Sequence, residues 1–241
     1  MEPLGLPRCG ACRVPVSVSP NYGPRRDGLT PNLIVLHYTA MDSCAAAERA
    51  LCDPTREVSA HYLISEYGVV TALVREDQRA WHAGKGTWAG LDDINSRSIG
   101  IELANLGTCP FSARQMIALE TLLPGIMDRW SILPQGVIAH SDMAPGRKID
   151  PGPRFDWQRL ARQGLGVWPQ IGETAGQAVD IKRFRADALA FGYPDVADEV
   201  LLQTVRLRFR PQAAGPLDCT DLALIADLAA RFPVDRPTIT A

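Results

Sequence analysis

A chain of 241 residues with 46% hydrophobic and 22% charged side chains has room for one large domain, or for one medium and one small, and is not the composition of a disordered chain. Its formal net charge of -2 excludes the strongly basic character of a nucleic-acid binder. No apolar run approaches the roughly 18 residues that a membrane span requires.

Residues 1–30 are rich in Pro, Gly and Arg and read as an irregular lead-in. Pro3, Pro7 and Pro15 interrupt the first 20 residues, which lack the apolar centre of a signal peptide. The expected location is therefore the cytosol, or the periplasm or envelope if a leader is missing. Cys9 and Cys12 form a C-x-x-C pair, but no second pair completes a zinc ribbon. The other cysteines, at 44, 52, 109 and 219, are expected as reduced thiols in a cytosolic protein. Arg25 with Arg26, and Arg206, Arg208 and Arg210, read as solvated surface charge.

Residues 32–36 form an unbroken apolar run, the pattern of a buried strand. Residues 45–51 favour a helix that Asp53 and Pro54 stop. Residues 61–64 and 69–73 flank a glycine, Gly68, as a hairpin would, and residues 98–103 read as a further strand. Ser112 and Gln115 have the spacing of a capping box opening a helix to about Trp130, which Pro124 should bend or break. Another strand is expected at 137–140, and a short helix at 156–162. Strands alternating with helices, plus one hairpin, predict an α/β fold with a mixed central sheet flanked by helices. Four glycines and a proline between 164 and 176 suggest a linker. Helical periodicity at 181–191, 196–209 and 220–232 then predicts a small C-terminal three-helix domain. The expected division is a catalytic domain at 1–165, a linker at 166–178 and a helical domain at 179–241.

The four histidines are His37, His61, His82 and His140. His37 and His140 each end a predicted strand, where a rigid sheet can deliver a side chain to one rim. Asp150 follows His140 by ten residues, in a Pro- and Gly-containing loop that can fold back. Two imidazoles and one carboxylate would give zinc three ligands and leave a fourth position open, and such an ion acidifies water toward neutral pH. Amide hydrolysis also needs a base and an oxyanion donor. Glu102, inside an apolar strand, and Lys148, in the Asp150 loop, are candidates. Each residue also has an ordinary reading: a structural histidine, a turn aspartate before Pro151, a salt-bridged Glu102, an exposed loop lysine. Spacing alone leaves these open.

The segments Ile34-Val35-Leu36-His37-Tyr38-Thr39-Ala40, Val58-Ser59-Ala60-His61-Tyr62, Ala80-Trp81-His82-Ala83-Gly84, Asn95 with 98–103, and Ala139-His140-Ser141-Asp142 through 147–152 occur together and in order. In these the chain resembles the type 2 N-acetylmuramoyl-L-alanine amidases over residues 20–165. The resemblance implies zinc on His37, His140 and Asp150, with Glu102 as general base and Lys148 polarising the scissile carbonyl. Phage and animal members generally carry cysteine at the Asp150 position, so the aspartate implies the bacterial AmpD/AmiD-like branch. Members with cysteine often place a tyrosine at the Ala60 position, and its absence here leaves the base role to Glu102. His82, Asn95 and Arg147 are expected at the substrate, His82 alternatively as a structural residue, and His61 is expected to stabilise the fold.

Residues 191–218 are similar, less specifically, to a three-helix peptidoglycan-binding module, alternatively a buttress of the catalytic domain. The implied function is zinc-dependent cleavage between N-acetylmuramic acid, or its 1,6-anhydro form, and L-alanine. The implied partners are peptidoglycan fragments or muropeptides, with no nucleic acid and a monomer assumed. A non-cutting muropeptide-binding protein, and a cysteine hydrolase using Cys44 or Cys109, are the competing readings.

Overall fold

The computed structural model describes residues 17–172 and 178–234. Cys9 and Cys12, most of the expected lead-in, residues 173–177 of the expected linker and residues 235–241 lie outside the described residues. Seven strands are β1 (Tyr22–Pro24), β2 (Leu33–Tyr38), β3 (Tyr62–Ile64), β4 (Val70–Ala72), β5 (Gln78–Ala80), β6 (Ser98–Leu103) and β7 (Val137–Ala139). The helices are α1 (Cys44–Cys52), α2 (Ile94–Arg97), α3 (Ala113–Trp130), α4 (His140–Met143), α5 (Trp157–Arg162), α6 (Ile181–Phe191), α7 (Asp198–Phe209) and α8 (Cys219–Arg231).

The central sheet has the order β4-β3-β6-β2-β7. β3, β6, β2 and β7 run parallel and β4 pairs antiparallel with β3, so the sheet is mixed, as the alternation of elements predicts. The turn between β3 and β4 requires a glycine: Gly68 has φ +83, and a Cβ there would lie 2.6 Å from the Arg114 carbonyl oxygen.

The strand period of two divides the apolar residues between two faces. Ile34, Leu36, Ile99, Ile101, Val137 and Ala139 point to one face and are covered by α3 and α5. Leu33, Val35 and Ile138 point to the other and join Phe184, Phe191, Leu201, Val205, Ile225 and Leu228 of α6, α7 and α8 in a single apolar cluster. The three C-terminal helices thus share their core with the sheet. Each such side chain, fully buried, contributes roughly 1.5–3 kcal/mol.

Three expectations are corrected. The capping box at α3 is half formed: Ser112 accepts from the Gln115 amide at 3.1 Å, but the Gln115 side chain donates to the buried carbonyls of Ile64 and Ala104. α3 also continues through Pro124 without interruption. And Arg206 and Arg208 are not solvated: they are 6% and 2% exposed, paired with Asp221 and Asp142. Arg25 is likewise drawn inward, donating to the carbonyls of Glu76, Ser96 and Ser98, while Arg26 is exposed. A local charge cluster carries no sign of these distant acceptors, and a guanidinium fork can satisfy several at once. No helix among the described residues is long and apolar enough to cross a membrane.

Glu76 pins the β4–β5 connection to α3, accepting from Tyr62 Oη, from Arg129 and from the Trp130 indole N–H. Burial opposes ionisation there, but these donors outweigh it and hold the carboxyl below its ordinary value of 4.5. A depressed folded-state pKa stabilises the fold above the unfolded value, and the contribution is lost as pH falls through the folded one. Glu76→Gln is therefore expected to cost about 1–3 kcal/mol at pH 7. Denaturant titrations should show the difference from the parent shrinking as pH drops below 4.5.

Candidate active site

Parallel register places the chemistry in one row. His37 of β2 is the partner of Glu102 on β6, and Leu36 is the partner of Ala139 on β7, so His140, next in the chain, falls beside His37. By the period of two, all three project from the face that Val35 and Ile138 share. His140 is the first residue of α4 rather than the last of the strand. The loop after α4 folds back through Arg147 N and Lys148 N, both donating to Ala144 O at 3.1 Å. Ser141 N then holds Asp150 O at 3.1 Å.

The result is three buried side chains meeting at a point. His37 Nδ1 lies 2.9 Å from His140 Nδ1 and 2.9 Å from Asp150 Oδ2, and His140 Nδ1 lies 2.9 Å from the same oxygen.

The protonation of both rings follows from groups that can only accept. His140 Nε2 is 3.0 Å from the carbonyl oxygen of Ala83, so the neutral ring carries its proton on Nε2 and leaves Nδ1 bare. His37 is reached through a longer chain. Ser98 Oγ is 2.6 Å from Ile94 O and must donate to it. It therefore accepts from His82 Nε2 at 3.1 Å, which leaves His82 Nδ1 to accept from His37 Nε2 at 3.0 Å. His37 Nδ1 is then bare as well. Burial, and after it His140, push the His37 imidazole down to about 4, which keeps it neutral at physiological pH.

Three unprotonated acceptors so close together repel unless a cation lies among them. The donor set, two imidazole nitrogens and one carboxylate oxygen, suits a divalent ion of the zinc type, and each ring already donates its other N–H outward.

His82 fits beneath His37 because β6 has glycine there: a Cβ on Gly100 would meet the His82 ring at 2.4 Å. Asn95 is buried, and its Oδ1 accepts from the amides of His82 and Ala83 at 3.1 and 2.8 Å, behind the cleft. His61 is fully buried, accepting from Gly100 N at 2.9 Å and donating to Gln78 O at 3.1 Å, so it ties β3 to β6 and β5. Arg147 is exposed, and its guanidinium reaches the carbonyls of Ala83 and Lys85.

The cleft above the row measures ≈ 640 Å³. Glu102, His82, Arg147 and Lys148 line it beside the three meeting residues, with Met41, Arg56, Val58 and Trp81 toward its α1 end. One Glu102 carboxylate oxygen is buried without a partner. Desolvation, and then the Asp150 carboxylate, push the Glu102 carboxyl up to about 8 against the pull of Lys148. A carboxyl with its pKa near neutral and a free oxygen is suited to moving a proton.

A model of the N-acetylmuramoyl-L-alanine amidase family matches residues 27–153, which contain every residue of this row and its loop. The chain belongs to that family. It is 35% identical to the N-acetylmuramoyl-L-alanine amidase AmiD of Escherichia coli, over 84% of this chain and 84% of that protein. It is also 35% identical to the 1,6-anhydro-N-acetylmuramyl-L-alanine amidase AmpD of Escherichia coli, over 63% of this chain and 90% of that one. A solved complex of Escherichia coli AmiD with the substrate anhydro-N-acetylmuramic acid-L-Ala-D-gamma-Glu-L-Lys superimposes with a TM-score of 0.76, covering 87% of this chain and 93% of that one. AmpDh3 of Pseudomonas aeruginosa gives 0.75 at 32% identity, covering 89% and 95%.

The competing cysteine reading has no geometric support in this amidase. Burial, and then Glu66, raise the Cys44 thiol to about 11, and the hydrogen-bond contact of Cys109 is with Asn105 Oδ1. Sequence reasoning missed the outer partners. Ser98 and the carbonyls of Ala83 and Ile94 bear no chemical signature, although Gly100 inside a strand is a signal of close approach. Ser98→Ala breaks the chain that sets the His82 tautomer. Competition with a chromophoric chelator should show zinc affinity falling about 10-fold or more, with circular dichroism unchanged.

Proposed function

We propose that this amidase cuts the amide joining the lactyl group of N-acetylmuramic acid to L-alanine, in a zinc-dependent reaction on muropeptides or peptidoglycan fragments, the 1,6-anhydro form included. The observation that carries the reading is the convergence of His37 Nδ1, His140 Nδ1 and Asp150 Oδ2 on one point in an open cleft. The anhydro form is supported by the names of the AmpD relatives and by the ligand of the AmiD complex.

Zinc held by those three residues would acidify water and polarise the scissile carbonyl. Glu102 takes the proton of the attacking water as its oxygen bonds to the carbonyl carbon. It returns that proton to the alanine nitrogen as the C–N bond breaks, leaving a lactyl carboxylic acid, which gives its proton to solvent or to the amine, and a free peptide amine. Lys148, exposed at the cleft edge, brings its ammonium to the oxygen on which negative charge develops. His82 keeps the role its two hydrogen bonds define, orienting His37 while its ring forms cleft wall. Arg147 and Asn95 hold the 82–85 segment that roofs the site, and through it the substrate's path.

Residues 179–241 are a peptidoglycan-contacting unit in this reading. Its helices share their core with the sheet, so it is bound into the catalytic fold.

Mass spectrometry of digested anhydro-muropeptides should show a free peptide beginning with L-alanine. Chelation should abolish that product and added zinc restore it; full turnover by a metal-stripped sample would refute the reading. Glu102→Gln is expected to lower kcat about 10²–10⁴-fold while zinc content and KM stay near the parent values. A kcat within threefold of the parent would remove Glu102 from the base role.

A further inference from the structure

The turn that carries His140 is gripped from the C-terminal helices. Asp142, two residues beyond His140, is fully buried. Its Oδ2 accepts from the amide of Ala139 at 2.8 Å and from Arg208 Nη1, and its Oδ1 accepts from Tyr193 Oη at 3.0 Å. The other arm of the same guanidinium donates to Val137 O at 3.1 Å. Arg208 therefore holds the chain on both sides of His140, before it at Val137 and after it at Asp142. The guanidinium lies 4.1 Å from the centre of the Trp157 ring, which fixes its plane. Both charges of the pair are completely buried, so neither has water as an alternative partner. The clamped turn also supplies Ser141 N to the carbonyl of Asp150, so two of the three converging residues depend on it.

We propose that Arg208 of α7 and Tyr193, after α6, are positioning residues for the metal centre, which makes the C-terminal helices part of the catalytic apparatus. This rests on the reading of His140 and Asp150 as ligands. Solvent is kept out by the surrounding core, and the fork geometry of arginine sets the distance between β7 and the first turn of α4. That distance decides where His140 Nδ1 stands relative to His37 Nδ1. A lysine can meet Asp142 but cannot span to Val137 O at the same time. The phenol contributes a single donor that phenylalanine would remove with almost no change of shape.

The test uses the full chain and zinc alone, measuring the dissociation constant by chelator competition alongside kcat and KM. Tyr193→Phe is expected to weaken zinc binding several-fold and Arg208→Lys about 10-fold or more, the range found for outer partners of metal ligands. Activity should fall in kcat rather than KM, and saturating zinc should restore part of it. Arg206→Lys is the control. Arg206 is also buried and pairs with Asp221, but both lie within the C-terminal helices. It should lower thermal stability and leave zinc affinity at the parent value.

Folded Tyr193→Phe and Arg208→Lys proteins that bind zinc like the parent would overturn the clamp. So would an equal loss in Arg206→Lys, since the effect would then be general destabilisation. If Arg208→Lys does not fold, Tyr193→Phe decides. A parent protein that takes up no zinc refutes the ligand reading itself, a result separate from any ranking of the variants.

Discussion

His37 Nδ1, His140 Nδ1 and Asp150 Oδ2 stand 2.9 Å from one another in a buried corner, each with a lone pair to offer a cation. Burial makes this contact expensive, because little water is present to screen like partial charges. It persists only if the surrounding structure forbids each side chain from turning away. Two devices do so. Each ring donates its far N–H, His140 to a backbone carbonyl and His37 into a chain that ends on one. The backbone positions beneath them are set by parallel pairing across β7, β2 and β6. A cation arriving there meets donors that need no rearrangement, and the order bought during folding becomes affinity for the ion.

The same sheet explains why the centre is where it is. One face is apolar from end to end under α3 and α5. The other changes character along the strand: Leu33 and Val35 are covered by the C-terminal helices, and His37 beyond them opens to the cleft. A helical layer covering only half of a face leaves a wall against which a substrate can lie. It also excludes water from behind His37 and His140. Fold and site are thus two ends of one alternating pattern.

Much of this was legible in the sequence, and what was not shares a physical reason. The strand ending in His37, the polar Glu102 in an apolar run and the folded-back loop to Asp150 are local patterns, set by period and turn chemistry within a few residues. The period says which face a side chain takes, but not what it meets there. Gln115 therefore looked like half of a capping box and instead serves two carbonyls, one of them 51 residues earlier in the chain. Asn95 and His82 matched the amidase pattern, yet only coordinates show that Asn95 holds backbone amides. Arg208 resembled surface charge because its carboxylate lies 66 positions away. Long-range pairs of this kind have no short-range signature.

Neighbouring cations in the loop divide two tasks according to their chemistry. Arg147 spreads its guanidinium over the carbonyls of Ala83 and Lys85, tying the loop to the segment that accepts from His140. A rigid planar fork suits a contact that must stay fixed. Lys148, one residue on, is exposed and lines the cleft. A compact ammonium on a flexible stem keeps a mobility that a planar fork held by two carbonyls gives up. Both cations sit in the loop that brings Asp150 to the two histidines.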